Sequence, residues 1–405
     1  MKKLCIPIAM LLIICTLLTA CGAPGTVPCY PEAEDTAAPQ ITATPQPTAT
    51  PQPTATPEPE GTPETPAAQT PTETEAAAEG DAIERYMQTL TLREKVGQLF
   101  FIRPDALDPA QTPGQINSSE TEGVKTLTDD MRAVLAAYPV GGVAIFGKNI
   151  SDPETLRAFT EQLRDATTVP LFLGVDEEGG TVVRVSSNPH LRASKFRSPQ
   201  SAYAAGGMEA VLADTREKDI LLSALGFNVN LAPVADVSTD PDDFIYDRSF
   251  GQTADATADY VSQVVSQMAA DNMGSVLKHF PGYGNNVDTH TGIAVDKRPL
   301  ETFETSDFLP FQAGFQAGGG KTAVLVSHNI VTCLDPELPA SLSPASYQVL
   351  REELGFEGVA MTDDLAMEAV AAYAADGAVA VMALEAGNDL VITTDYRTQI
   401  PKVIE

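Results

Sequence analysis

From residue 82 onward the chain alternates between short, almost continuously apolar runs and longer stretches with helical spacing. The runs are VGQLFFI (96–102), GGVAIF (141–146), PLFLGVD (170–176), FNVNLAPVAD (227–236), MGSVLKHF (273–280), AVLVSHN (323–329), GVAMTDD (358–364) and DLVITTD (389–395). Most are rich in Val, Leu, Ile and Phe, the pattern of strands covered on both faces in a parallel sheet. Between most of them lie helix-compatible segments such as SDPETLRAFTEQLRDAT, MEAVLADTREKDILLSAL and ASYQVLREELG. Ser151 with Glu154 reads as a capping box, and Gly355 as a helix stop. Eight strands with intervening helices over about 310 residues predict an α/β fold, a (β/α)8 TIM-type barrel. An open doubly wound sheet is the alternative, but no GxGxxG follows a first strand.

A barrel makes a demand on polar residues: those that do chemistry lie at the C-terminal ends of strands and in the loops that follow. The third run ends in Asp176-Glu177-Glu178-Gly179-Gly180 and the fourth near Asp236. The fifth ends in Lys278-His279, the sixth in His328-Asn329 and the seventh in Asp363-Asp364. Of the four histidines, His279 and His328 stand at strand ends and His290 in the loop after the fifth run; His190 is left over, in a loop after the third run.

What precedes the barrel is of another kind. MKKLCIPIAMLLIICTLLTA opens with Lys2 and Lys3, continues as an apolar run of signal-peptide length, and gives way at once to polar, proline-rich sequence. That pattern reads as a secretion signal rather than a spanning helix. Its end, Leu18-Thr19-Ala20-Cys21, resembles a bacterial lipobox, which implies Cys21 as a lipid-bearing N-terminus on the outer face of the cell membrane. The alternative is plain secretion. The expected organisation is a lipoprotein signal over 1–20, a Pro/Thr/Ala/Glu-rich disordered linker over 21–80, and the barrel over 81–405. The chain stops at QIPKVIE, where the eighth helix is expected only to begin, so the barrel's last helix is expected to be cut short.

Charge narrows the partners. The total is −30; the first twenty residues carry +2 and residues 22–80 carry −9, leaving −23 for residues 81–405. A surface this acidic repels phosphate backbones, which excludes nucleic acid as a partner. Membrane contact is expected only through the anchor, and a monomer is expected. The cysteines form no disulfide framework and no CxxC metal spacing.

The chemistry follows from the strand ends. HExxH and HxH spacings are absent and Lys278 beside His279 repels a cation, so no metal is expected. There is no GxSxG elbow and no P-loop, and no cofactor is implied. Glycosidic cleavage fits: it needs a proton donor for the leaving oxygen and a nucleophile or base on the other face of the sugar. Asp363 after the seventh run is placed as nucleophile. Asp288 and His290 lie two residues apart in the loop after the fifth run, so an extended backbone points both side chains the same way. A carboxylate beside an imidazole raises its pKa and fixes its tautomer, giving a general acid near neutral pH. His279, near the rigid strand end, is expected to hold substrate.

DEEGG, YDRSFG, KHFPGYGNNVDTH and MTDDLAM, in that order, resemble the family 3 glycoside hydrolases, in their bacterial β-N-acetylglucosaminidase branch. The resemblance covers residues 84–398. It implies a retaining enzyme with Asp363 as nucleophile and His290 paired with Asp288 as acid/base. It implies Asp176, Arg184, Arg248, Lys278 and His279 as the groups that hold sugar hydroxyls. The implied substrates are β-linked N-acetylglucosamine termini of peptidoglycan fragments or chitin oligosaccharides. Two alternatives stay open: sugar transfer to phosphate, and an idle glycan-binding barrel. The chain departs from the branch at GGTVVR, where Thr181 replaces an arginine, and at PGYG, where Tyr283 replaces a histidine.

Overall fold

The computed structural model describes residues 82–289, 292–373 and 377–405. The proposed signal, Cys21, the linker and His290 lie outside the described residues.

Each of the eight apolar runs forms a strand: β1 Phe100–Ile102, β2 Gly142–Ala144, β3 Phe172–Val175, β4 Val229–Asn230, β5 Gly274–Phe280, β6 Thr322–Val326, β7 Ala360–Asp364 and β8 Leu390–Ile392. Every neighbouring pair is parallel, and β8 closes on β1 with Phe100 opposite Val391. The continuous apolarity of the runs has its cause in this closure. Phe100, Ile102, Val143, Leu173, Val175, Leu277, Val324, Val326 and Val391 face outward into a core shared with the surrounding helices. Phe101, Ala144, Leu231, Val276, Leu325, Met361 and Ile392 fill the barrel itself. The Phe101 ring fits there because Gly142 and Gly174 carry no side chain: a Cβ on either would come within 2.0 Å and 2.7 Å of it.

Helices follow the strands, and two differ from expectation. The helix after β2, Pro153–Asp165, is capped by Asp152, whose carboxylate accepts from the Glu154 and Thr155 N–H groups. The Ser151–Glu154 capping box is therefore corrected by one residue: Asp152 brings a charged acceptor to the positive helix end. After β3 the helical element begins at Pro199 rather than at Met208, with a break at Gly206–Gly207. Gly355 does follow the end of a helix, with a positive φ of 68°. After β8 a nine-residue helix, Tyr396–Ile404, packs against Leu92–Gly97 and buries Tyr396, Gln399 and Ile400.

The loops at the C-terminal mouth carry their own order. Glu177–Gly179 pairs antiparallel with Val182–Val183, and Val295–Asp296 pairs parallel with Ile330–Val331. The base of the long loop after β5 is tied by Arg298, which bonds Asp296, both Asp307 oxygens at 3.0 Å and the Gly282 carbonyl at 3.2 Å.

Candidate active site

The strand ends converge on a cavity of about 170 Å³ at the C-terminal mouth. Its lining includes Asp176, Arg184, Arg248, Lys278, His279 and Asp363, six of the candidates singled out in the sequence. The barrel residues Leu231, Leu325 and Ile392 close it below. A second cavity of about 390 Å³ shares Arg103, Phe146 and Arg184 with the first.

The floor is a buried ion cluster. Lys278, at the end of β5, reaches back to β3 and places its ammonium 2.8 Å from Asp176 and 2.6 Å from Glu178. Arg248 grips Glu178 with two bonds, Nε at 3.0 Å and Nη2 at 2.8 Å. Burial disfavours the charge on both carboxylates, but the Lys278 ammonium, helped by Arg184 at Asp176 and by Arg248 at Glu178, outweighs it and holds both below the ordinary carboxylate range. The partners respond in kind. Burial opposes the Lys278 charge, and Asp176 and Glu178 overcome it, raising its pKa; Glu178 does the same for Arg248. The four groups are therefore all ionised at neutral pH.

His279 is fixed beside this cluster. Asp236, fully buried after β4, accepts from the His279 backbone N–H at 3.1 Å and lies 2.7 Å from Nδ1. A carboxylate at Nδ1 assigns the ring proton there and leaves the Nε2 lone pair toward Arg248 Nη2 at 3.2 Å.

Arg184 is set by a different device. Glu177, just before the glycine turn, accepts from the backbone N–H groups of Arg184 at 2.8 Å, Val185 at 2.7 Å and Ser186 at 3.1 Å, and from the Ser186 hydroxyl. Gly179 makes the turn with φ 106°, and a Cβ there would lie 2.0 Å from the Arg197 carbonyl oxygen. The Arg184 guanidinium consequently reaches Asp176 at 3.6 Å.

Asp363 stands at the end of β7, where its Oδ1 accepts from the Asp364 N–H at 2.8 Å. Asp364 pairs with Arg103 at 2.6 Å, and the Arg103 guanidinium lies 4.2 Å from the centre of the Phe146 ring. Asp288 is not among the residues lining the inner cavity. Its charge is nevertheless felt at Tyr283. Burial raises the Tyr283 phenol pKa, the bonds to Thr289 oppose this, and the Asp288 and Asp363 carboxylates both add to the rise. The two carboxylates thus act on one buried hydroxyl. His290, the expected partner of Asp288, lies outside the described residues.

Sequence reasoning left four residues of this region without a role. Arg103 directly follows β1, the same strand-end signal that flagged Asp363. Glu178 and Asp236 stood in quoted strand ends without a role. Tyr283 appeared only as a departure from a motif.

Comparisons with known proteins give the family. The family model of the glycosyl hydrolase family 3 N-terminal domain matches residues 91–405. A beta-hexosaminidase of Alkalilimnicola ehrlichii is 33% identical over 292 residues, covering 70% of this chain and 81% of that protein. A solved family 3 beta-N-acetylglucosaminidase from Paenibacillus superposes with a TM-score of 0.68 at 28% identity; the match covers 78% of this chain but only 58% of that longer one. A beta-N-acetylhexosaminidase from Beutenbergia cavernae gives a TM-score of 0.64 at 29% identity, covering 78% of this chain and 90% of its own. With a parallel barrel, a charged cleft at its C-terminal mouth and these matches, the chain belongs to glycosyl hydrolase family 3 and is a glycoside hydrolase.

Proposed function

We propose that the protein is a retaining, exo-acting β-N-acetylhexosaminidase that removes terminal β-linked N-acetylglucosamine from chitin oligosaccharides or peptidoglycan fragments. The observation that carries this reading is the meeting of Asp363, from β7, with the hydroxyl-binding cluster from β3, the β4 loop and β5 around one cavity. The names of the relatives above support the sugar.

In this mechanism Asp176, Arg184, Arg248, Lys278 and His279 hold the sugar hydroxyls. The Asp363 carboxylate attacks the anomeric carbon as the bond to the leaving oxygen breaks, and that oxygen takes a proton from His290. His290, now neutral and oriented by Asp288, takes a proton from water; the hydroxide displaces Asp363 and gives the β-configured sugar. Lipid attachment at Cys21, holding the enzyme at the outer face of the cell membrane, is part of the same proposal. Loss of fatty-acid labelling in Cys21→Ala tests it.

The catalytic reading is tested by incubating the protein with an aryl β-N-acetylglucosaminide and with a slow fluorinated analogue. Release of the β-anomer, and a glycosyl adduct on the peptide carrying Asp363, are expected. An adduct elsewhere, or no turnover by folded protein, refutes the assignment. Sugar 1-phosphate formed only when phosphate is present identifies a phosphorylase instead.

A further inference from the structure

Tyr283 links the sugar clamp to the acid/base loop. It is 2% exposed and lies six residues before Thr289, itself 1% exposed. The Thr289 N–H donates to the Tyr283 hydroxyl at 3.0 Å, and the Thr289 hydroxyl lies 3.0 Å from the same oxygen. A phenol has one proton and two lone pairs, so it satisfies both groups of Thr289 at once. The other end of Tyr283 is equally fixed. Its N–H donates to Asp236 at 2.7 Å, and its carbonyl accepts from Asn286 Nδ2 at 2.8 Å. Its ring meets His279 edge-on at 5.5 Å and Phe244 at 5.6 Å. Between Tyr283 and Thr289, Val287 is 65% exposed and contributes little packing.

Thr289 is the residue that separates Asp288 from His290 in the chain. We infer that Tyr283 is a positioning residue for proton transfer, its hydroxyl tethering Thr289 so that the backbone leading into the proposed acid/base is referred to the same buried carboxylate, Asp236, that orients His279. The inference rests on the acid/base reading above. It makes one tyrosine the mechanical link between ground-state binding and leaving-group protonation.

The test is a leaving-group comparison on the full chain. Tyr283→Phe keeps the ring contacts and removes both bonds to Thr289. A leaving group that needs a proton, the second sugar of a disaccharide, loses about 10–100-fold in kcat/KM, a part of what general acid catalysis supplies. A dinitrophenyl glycoside, which needs little protonation, changes by less than about threefold in kcat/KM, a parameter that excludes the later step in which His290 activates water. Competitive inhibition by free N-acetylglucosamine also holds within about threefold, because the clamp is intact. Thr289→Val keeps its N–H bond to the phenol and shows the same pattern at smaller size; it decides the matter if Tyr283→Phe does not fold. Equal losses on both substrates, or none on either, overturn the tether. His290→Ala separates the two levels. If it shows no leaving-group dependence, the acid/base assignment fails; if it does and Tyr283→Phe does not, only the tether fails.

Discussion

Glu178→Gln isolates the carboxylate that holds the floor of the cleft. The side chain is 2% exposed, sits 2.6 Å from the Lys278 ammonium and takes two bonds from Arg248. Glutamine preserves the volume but offers one acceptor in place of two charged ones, and turns an amide N–H2 toward a cation. Breaking a buried pair by neutralising one partner costs about 3–5 kcal/mol. Asp176 remains 2.8 Å from Lys278, so the lysine keeps one counter-charge and the lower end, about 3 kcal/mol, applies. At about 2 °C per kcal/mol for a domain of this size, Tm falls by about 6 °C. Calorimetry at neutral pH reads this directly. The acid side gives a second signature. Both carboxylates are held below their ordinary range. The unfolded chain therefore takes up protons first as pH falls, so the stabilisation is complete above about pH 5 and is lost on acidification through about pH 4 and below. Glu178→Gln flattens that acid limb. Paired with Lys278→Met, it shows a coupling of about 2 kcal/mol, since each single variant leaves the four-group cluster with a net charge and the double variant restores it to zero. A Tm within about 1 °C of the wild type, or strict additivity in the double variant, refutes the view that this ion cluster builds the floor.

Asp219 gives a prediction of opposite sign. Neither carboxyl oxygen has a hydrogen-bond partner among the described residues, and burial, with Asp271 adding, pushes its pKa up to about 7 against the pull of Lys218. Between about pH 4 and 7 the folded chain keeps a proton that the unfolded chain releases, so stability falls as pH rises through that window. Asp219→Asn gains up to about 4 kcal/mol over the wild type at about pH 8 and nothing at about pH 4, read by urea unfolding; an equal difference at both contradicts the shift. Asp236→Asn leaves three donors facing a group with one acceptor oxygen, which costs about 1–3 kcal/mol and weakens inhibition by free N-acetylglucosamine about tenfold through His279. Unchanged inhibition rules out the clamp role of Asp236.

The sequence was informative wherever one residue's surroundings follow from its own segment. All eight strands were legible, because runs such as VLVS and VAMT have almost no polar face to set against water and so belong where both faces are covered. The strand ends were legible too, because parallel strands bring their C-terminal ends to one mouth whatever the loops do. Partners were not. Lys278 meets Asp176 across 102 positions, and Arg248 meets Glu178 across 70, and only closure of the barrel decides those pairings. Local detail failed at the helix after β2, where Ser151 and Asp152 are both competent caps and the charged residue takes the position. The tether proposed for Tyr283 was hidden because a phenol reads as core until its hydroxyl is traced to Thr289.

The ion cluster beneath the cleft has a consequence for how the enzyme meets its solution. Asp176 and Glu178 oppose Lys278 and Arg248, so this patch sums to zero within a chain whose total is −30. An uncharged saccharide arriving there displaces no counter-ions and forms no new ion pairs; it finds donors and acceptors already aimed and already neutralised. Occupancy of that floor by a monosaccharide is accordingly indifferent to added salt, while the strongly negative exterior, screened over about 10 Å at 0.1 M ionic strength, tunes only which larger molecules come near.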